Sequence, residues 1–350
     1  MRILLSGGGT AGHVLPHTAV VKQLEKQDPS LEVLYVGSQN GPERKIVHDW
    51  GWHYTSIPVG KWRRYWDWRN LVDPFKVLFG ILKSEWIIVQ FRPDVIFSKG
   101  GFVSVPLILA GWLLRIPIVI HDSDAMPGLT TRIAARFAKT ICLGYEEAKA
   151  RLPKSSHKKV VVSGTPVREE MLRGNVERGR KLAGFKGGKP VVLVMGGSLG
   201  AKTVNEAIWE VLPGLLKVAQ VIHLTGRGKA LETAENGINK TSKGDLKGSS
   251  RGGLKNYLSR DLEGAKGYKM LEYVGKELAD LYAMADLVVS RAGGNSLVEL
   301  QALQKPMVLV PLGSPVSHGD QEANAIILEA RGAALVIRNE DLTGEKLLET

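Results

Sequence analysis

One pattern constrains this chain more than any other, because it recurs: an apolar run, a glycine turn, then apolar residues at helical spacing. Its clearest copy is Ala285-Asp286-Leu287-Val288-Val289-Ser290 followed by Arg291-Ala292-Gly293-Gly294-Asn295-Ser296-Leu297-Val298-Glu299-Leu300. Val288 and Val289 suit a strand buried on both faces, Gly293-Gly294 lets the backbone turn without a Cβ, and the positions from Leu297 onward repeat like a helix. A helix begun this way presents unpaired backbone N–H groups to an anion. The same residues allow a second reading, since Ser296-x-x-Glu299 has the spacing of a capping box in which Glu299 serves only its own first turn.

Other copies follow the same plan. Arg2 to Ser6 runs into Gly7-Gly8-Gly9-Thr10-Ala11-Gly12-His13, with Ala19, Val20 and Leu24 at helical spacing, and residues 190–195 run into Gly196-Gly197-Ser198-Leu199-Gly200-Ala201. Further strands are expected at 31–36, 93–98, 116–120, 160–163, 220–224, 273–274, 307–310 and 334–337. Strands alternating with helical segments predict an α/β chain with parallel, doubly wound sheets, which bind ligands at the carboxyl ends of their strands. At that edge stand His13, Lys99-Gly100-Gly101 and His121-Asp122-Ser123-Asp124. His13, where a helix begins, faces such a crevice; a capping or packing histidine is the other reading. The pattern restarts at the turn-like Gly164-Thr165-Pro166-Val167-Arg168. With 350 residues, two domains are expected, 1–163 and 164–350, the second with a polar, flexible insertion at about 227–267.

The net charge of +12 favours acidic partners: nucleic acid, anionic lipid or a phosphorylated substrate. Neither zinc-ligand spacing nor an RNA-binding signature accompanies the charge, so nucleic acid is set aside. The one cysteine, Cys142, excludes an internal disulfide and reads as core. Met1-Arg2 leads directly into an expected strand rather than a cleavable signal, so a cytosolic chain is expected. An anionic membrane surface is suggested by Lys61, Trp62, Arg63, Arg64 and Trp66, followed by a helix expected to start at Asp73-Pro74 and to carry Phe75, Phe79 and Trp86. An amphipathic core helix with a solvated basic lead-in fits the same residues. The longest uncharged apolar stretch, 102–114, contains Pro106 and falls short of the roughly 20 residues a bilayer crossing needs.

In order, Gly8-Gly9-Thr10-Ala11-Gly12-His13, Gly164 to Arg168, Gly196 to Ala201, Arg291 to Leu300 and Asp320-Gln321-x-x-Asn324-Ala325 resemble the successive motifs of the MurG-type glycosyltransferases, over nearly the whole chain. The resemblance implies a GT-B fold, two doubly wound Rossmann-like domains facing across a cleft. It implies an inverting transfer of GlcNAc from UDP-GlcNAc to the MurNAc 4-hydroxyl of undecaprenyl-linked lipid I, giving lipid II. The protein would sit peripherally on the cytoplasmic face of the cell membrane, with its N-terminal domain on acceptor and membrane and its C-terminal domain on the donor. Thr10, Ala11, Gly12 and Ser198 would handle the donor's sugar and diphosphate, and Arg168 would pair with phosphate. Gly294, Asn295 and Ser296 would meet the diphosphate through N–H groups, Glu299 would accept from ribose hydroxyls, and Val274 would contact uracil through its backbone. His13 would be the base that takes the acceptor's proton. No cofactor and no metal are implied: Arg168 and the helix starts can stabilise the UDP leaving group.

This chain departs from the family's usual pattern at Ala11-Gly12, commonly Gly-Gly, and at His121-Asp122-Ser123-Asp124, commonly His-Glu-Gln-Asn. Asp320 stands where a glutamine is usual, leaving Gln321 as the nearest amide. Asp124 is expected to accept from a sugar hydroxyl and to raise the pKa of His13. Glu349-Thr350 is expected to fall in mid-helix, so that the family's closing helix across the two domains is expected either to be missing or to lie beyond Thr350. Two other readings remain beside this one: a GT-B enzyme acting on another lipid acceptor, and a non-catalytic, membrane-docked scaffold that binds a nucleotide sugar. The presence of His13, Arg168 and Glu299 together argues against the scaffold.

Overall fold

The computed structural model describes residues 1–9, 11–60, 69–197, 200–229, 267–313 and 319–350. Thr10, Ser198, Lys61, Trp62, Arg63, Arg64, Trp66 and almost all of the expected insertion lie outside the described residues. The chain divides into two compact units, Met1–Arg168 and Glu169–Thr350. The division falls a few residues beyond the expected break after Ser163. Gly164 stays with the first unit, where its carbonyl accepts from His121 Nε2 at 2.8 Å.

In the first unit, seven strands pair in parallel in the order β3-β2-β1-β4-β5-β6-β7. They are β1 (Arg2–Ser6), β2 (Glu32–Gly37), β3 (His53–Ser56), β4 (Val95–Ser98), β5 (Ile118–Asp122), β6 (Thr140–Leu143) and β7 (Val160–Val162). The crossovers carry α1 (Pro16–Gln27), α2 (Glu43–Asp49), α3 (Arg69–Phe91), α4 (Ser104–Leu113) and α5 (Leu129–Ala134). Alternate residues of one strand feed opposite faces, as the pleat requires. Leu4 packs with Ile96, Ile118, Ile120 and Ile141, while Ile3 and Leu5 pack with Tyr35 and Phe97 on the other side. Two-sided burial is why these strands read as continuous apolar runs.

The second unit repeats the plan with β10-β9-β8-β11-β12-β13. Its strands are β8 (Val191–Met195), β9 (Gln220–Leu224), β10 (Tyr268–Leu271), β11 (Leu287–Ser290), β12 (Met307–Leu309) and β13 (Leu335–Val336). Its helices are α6 (Val176–Ala183), α7 (Lys202–Val218), α8 (Leu278–Met284), α9 (Gly294–Ala302), α10 (Asp320–Ala330) and α11 (Gly344–Glu349). Val192, Val194, Val289 and Val308 fill one face, and Leu193, Met195, Val288 and Leu309 the other.

Two local expectations are corrected, and one strand is added. Tyr273-Val274 lies beyond its strand, which ends at Leu271. The polar stretch before Tyr268 hides the strand's start, and Tyr273-Val274 carries strand-like residues just past its end. The helix expected to open at Asp73-Pro74 begins earlier, at Arg69. Asp73 is buried within it and takes an ion pair from Lys76 at 3.2 Å rather than capping its end. The strand His53–Ser56 is not among the expected strands; it is short, on the sheet edge, and none of its residues is fully buried, although Tyr54 packs against the core beside Tyr35. Among the described residues no helix is long and apolar enough to cross a membrane.

Candidate functional site

The glycine loop after β1 closes in a 3-10 turn, Ala11–His13. His13 Nδ1 donates to the Gly8 carbonyl at 3.0 Å, which leaves Nε2 as the ring's basic nitrogen. Burial pushes the His13 pKa below the ordinary histidine value; Asp124 acts against this and Lys99 with it. The expected upward push from Asp124 is present, although the net shift is downward. The carboxylate does push upward, but removing the ring from water outweighs it. The outcome suits a base, because the imidazole stays neutral at pH 7.

β5 ends at Asp122, and this carboxylate is committed to the turn that follows. One oxygen accepts from the Asp124 N–H at 3.1 Å, the other from Gly128 N–H at 3.3 Å and from the Thr131 hydroxyl at 2.6 Å. Burial and the neighbouring Asp124 both raise the Asp122 pKa. The Asp-x-Asp pair is thus split in purpose: Asp122 starts the turn into α5, and Asp124 is the partly exposed member beside His13. Lys99, at the end of β4, donates to His121 Nδ1 and Ser123 Oγ. Nothing in the sequence pattern beyond its place at a strand end singled Lys99 out.

In the second unit, the loops after β8 and β9 lie back to back. Gly200 has φ +73°, and a Cβ there would stand 2.2 Å from the Thr225 carbonyl, so only glycine permits the approach. The fully buried Asn205 on α7 braces β9 and the loop after it, donating to the Thr225 carbonyl at 3.0 Å and accepting from His223 Nε2 at 3.0 Å.

The turn from β11 into α9 is the most heavily braced element here. Arg291 is buried and fans out to neutral acceptors: the Val310 and Pro311 carbonyls, Asn339 Oδ1 at 2.7 Å and Thr203 Oγ1 at 2.9 Å. Burial lowers its pKa to about 10, which still leaves it charged. Asn324 on α10 donates to the Ala292 carbonyl at 3.0 Å from the other side. The helix cap is Gly293, which makes no side-chain cap bond, and Ser296 already lies within α9. The capping box is not formed, so Glu299, at 5% exposure, is not explained as a cap. Gly294, Asn295 and Ser296 occupy the first turn, where backbone N–H groups lack intrahelical partners. Gln321 accepts from the Leu312 N–H at 3.0 Å, and Asp320 accepts from the Gln321 N–H at 2.7 Å, so both are placed by the start of α10. Val274 is partly buried against the core just past β10, and its position in a turn rather than in a strand leaves its backbone groups outside the ladder.

Of the two readings of α3, the core helix accounts for one face and leaves an exposed apolar face on the other. Phe75, Leu78, Phe79, Leu82, Trp86 and Val89 are all more than half exposed. Their spacing puts them on one stripe, while Ile87 and Ile88 point into the core. Trp112 and Leu113 at the end of α4 are exposed as well.

The family model for the glycosyltransferase family 28 N-terminal domain matches residues 3–143, and the one for its C-terminal domain matches residues 191–350. A Bacillus cereus protein named UDP-N-acetylglucosamine--N-acetylmuramyl-(pentapeptide) pyrophosphoryl-undecaprenol N-acetylglucosamine transferase 2 is 44% identical over 348 residues, covering 99% of this chain and 90% of its own. A Geobacillus thermodenitrificans transferase of the same name, without the numeral, is 44% identical over 347 residues, covering 99% and 88%. The crystal structure of Acinetobacter baumannii MurG superposes with a TM-score of 0.69 at 26% identity, covering 99% of this chain and 88% of that one.

Proposed function

We infer that this chain, which belongs to glycosyltransferase family 28 in both of its domains, is a MurG-type transferase. It moves GlcNAc from UDP-GlcNAc to undecaprenyl-linked lipid I, forming lipid II. The observation that carries the chemistry is His13: an imidazole kept neutral by burial, its tautomer set by the Gly8 carbonyl, at the carboxyl edge of a parallel sheet. His13 takes the proton of the MurNAc 4-hydroxyl as that oxygen attacks the anomeric carbon, and the configuration inverts in a single displacement. Asp124 orients the acceptor by accepting from a sugar hydroxyl.

The departing UDP carries the charge that the reaction develops. On the C-terminal unit the first turn of α9 offers Gly294, Asn295 and Ser296 N–H groups to the diphosphate, with the buried Arg291 charge beneath the same turn. Glu299 accepts from the ribose hydroxyls, Val274 addresses uracil through its backbone, and Asp320 and Gln321 meet the donor sugar. Arg168 pairs with phosphate, and Thr10, Ala11, Gly12 and Ser198 belong to the same donor set by their place in the motifs. Asp122 is bonded within its own turn, and the reading assigns no step to a metal. Incubation with radiolabelled UDP-GlcNAc and a lipid I analogue should carry label into the lipid fraction, in EDTA as without it. Label entering only a diacylglycerol acceptor would replace the acceptor assignment, and loss of transfer in EDTA with recovery in magnesium would put a metal in the mechanism.

The acceptor's polyprenyl chain lies in a bilayer, and the exposed stripe on α3 suits that surface. Phe75, Phe79 and Trp86 dip below the headgroups, and the basic Lys61, Arg63 and Arg64 with Trp62 and Trp66 precede them in sequence. The protein therefore docks peripherally on the cytoplasmic leaflet. Sedimentation with anionic vesicles should fall as salt rises, and Phe79→Asp should abolish most of it. Equal sedimentation with neutral vesicles would contradict the electrostatic part.

A further inference from the structure

Lys99 has no part in the mechanism above, yet it is a buried charge on the same strand-end edge as His13. It directly follows β4 and is 4% exposed. The next two residues, Gly100 and Gly101, have φ of +85° and +83°. They bring this loop against the glycine loop after β1: a Cβ on Gly101 would stand 2.2 Å from the Gly8 carbonyl oxygen, the group that accepts from His13. The Lys99 ammonium donates to His121 Nδ1 at 2.7 Å and to Ser123 Oγ at 2.5 Å. His121 carries its proton on Nε2, which donates to the Gly164 carbonyl, so the ring is neutral and accepts at Nδ1. The burial that lowers the His121 pKa to about 3 keeps it so. One cation thereby joins the end of β4, the turn after β5 and the end of the unit's last strand segment.

We propose that Lys99 is a positioning residue for the transfer reaction: bonded to His121 and Ser123, it holds the turn that carries Asp124 and sets a positive charge on the strand-end edge where His13 works. The proposal rests on His13 being the base. The groups that act on His13 come from four elements. Asp124 after β5 and Glu43 on α2 push its pKa up, Lys99 after β4 pushes it down, and His17 on α1 is itself held neutral by burial. Lys99 in turn faces Asp122, Asp124 and Cys142 of β6, all of which favour its charged form, while burial lowers its pKa to about 8. Without the Lys99 charge, only burial would oppose the two carboxylates, and more of the imidazole would be protonated at neutral pH.

Lys99→Gln separates the charge from the bonds, because an amide can still donate to His121 and Ser123. With transfer measured across pH, the acid limb of kcat/KM should move to higher pH by on the order of half a unit. Lys99→Arg, which keeps the charge, should leave the limb where the parent has it. A further readout needs neither activity nor a Lys99 variant. In the unsubstituted protein the His13 imidazole resonance, identified by its absence in His13→Gln, should shift as Lys99 titrates near pH 8. An unmoved limb in folded Lys99→Gln, a limb displaced upward in Lys99→Arg, or a His13 resonance indifferent to the pH 8 step would each overturn the proposal. Full transfer by His13→Gln would instead overturn the assignment of the base on which it rests.

Discussion

The N-terminal and C-terminal sheets are wound alike, with the first strand of each unit central, the next two on one side and the rest on the other, but their strand ends are furnished differently. The N-terminal edge gathers ionisable groups: His13, Lys99, His121, Asp122 and Asp124, several with pKa values displaced by burial and by one another. The C-terminal edge relies on backbone. Its turn into α9 is clamped by Arg291 and Asn324 through carbonyls and neutral side chains, and what it offers a ligand is a row of N–H groups. Side chains with displaced pKa values move protons; fixed N–H dipoles hold an anion without titrating. In the proposed function, one topology supplies a proton-transfer edge in one unit and an anion-binding edge in the other.

If that division holds, substitutions on the two edges fail in different ways. The largest effect is expected at His13: His13→Ala should lower kcat by about 10²–10⁴-fold, the usual worth of a positioned base, at nearly unchanged donor affinity. A loss seen mainly in donor KM would move His13 to the binding side. Next comes Glu299→Ala, which removes a charge-assisted acceptor and should weaken UDP-GlcNAc binding by about 1.5–3 kcal/mol with the fold intact by circular dichroism. Asp124→Asn gives the smallest and most specific change. Asp124 pushes the His13 pKa up, so its neutral isostere should let the pKa fall further, and the acid limb of kcat/KM should move to lower pH even as turnover drops. An acid limb that moves upward would show that Asp124 does not act on His13 through its charge.

The fold was legible because burial on both faces leaves a plain mark. Runs such as Val191 to Met195 and Leu287 to Ser290 are apolar at nearly every position, and glycine follows them where the chain must turn. Where a strand is short and polar, as at His53–Ser56, or abuts a polar stretch, as at Tyr268–Leu271, that mark is missing and the reading slips. The residues expected to meet ligand were legible as motif positions, His13 and Glu299 above all. Their supports were not. Arg291 was part of the motif, but its partners at Thr203, Val310 and Asn339 are far away in sequence. Lys99 looked like the polar end of a strand, and only the fold brings it to His121 and Ser123. The face of α3 was ambiguous for a physical reason: an apolar stripe has the same spacing whether it meets a core or a membrane.

The division of labour between the two edges is tested most directly by titrating UDP-GlcNAc calorimetrically into His13→Ala and Glu299→Ala side by side. The account predicts that His13→Ala binds donor as the parent does while Glu299→Ala binds it on the order of tenfold or more weakly. Parent-like donor binding by Glu299→Ala together with weakened binding by His13→Ala would contradict it.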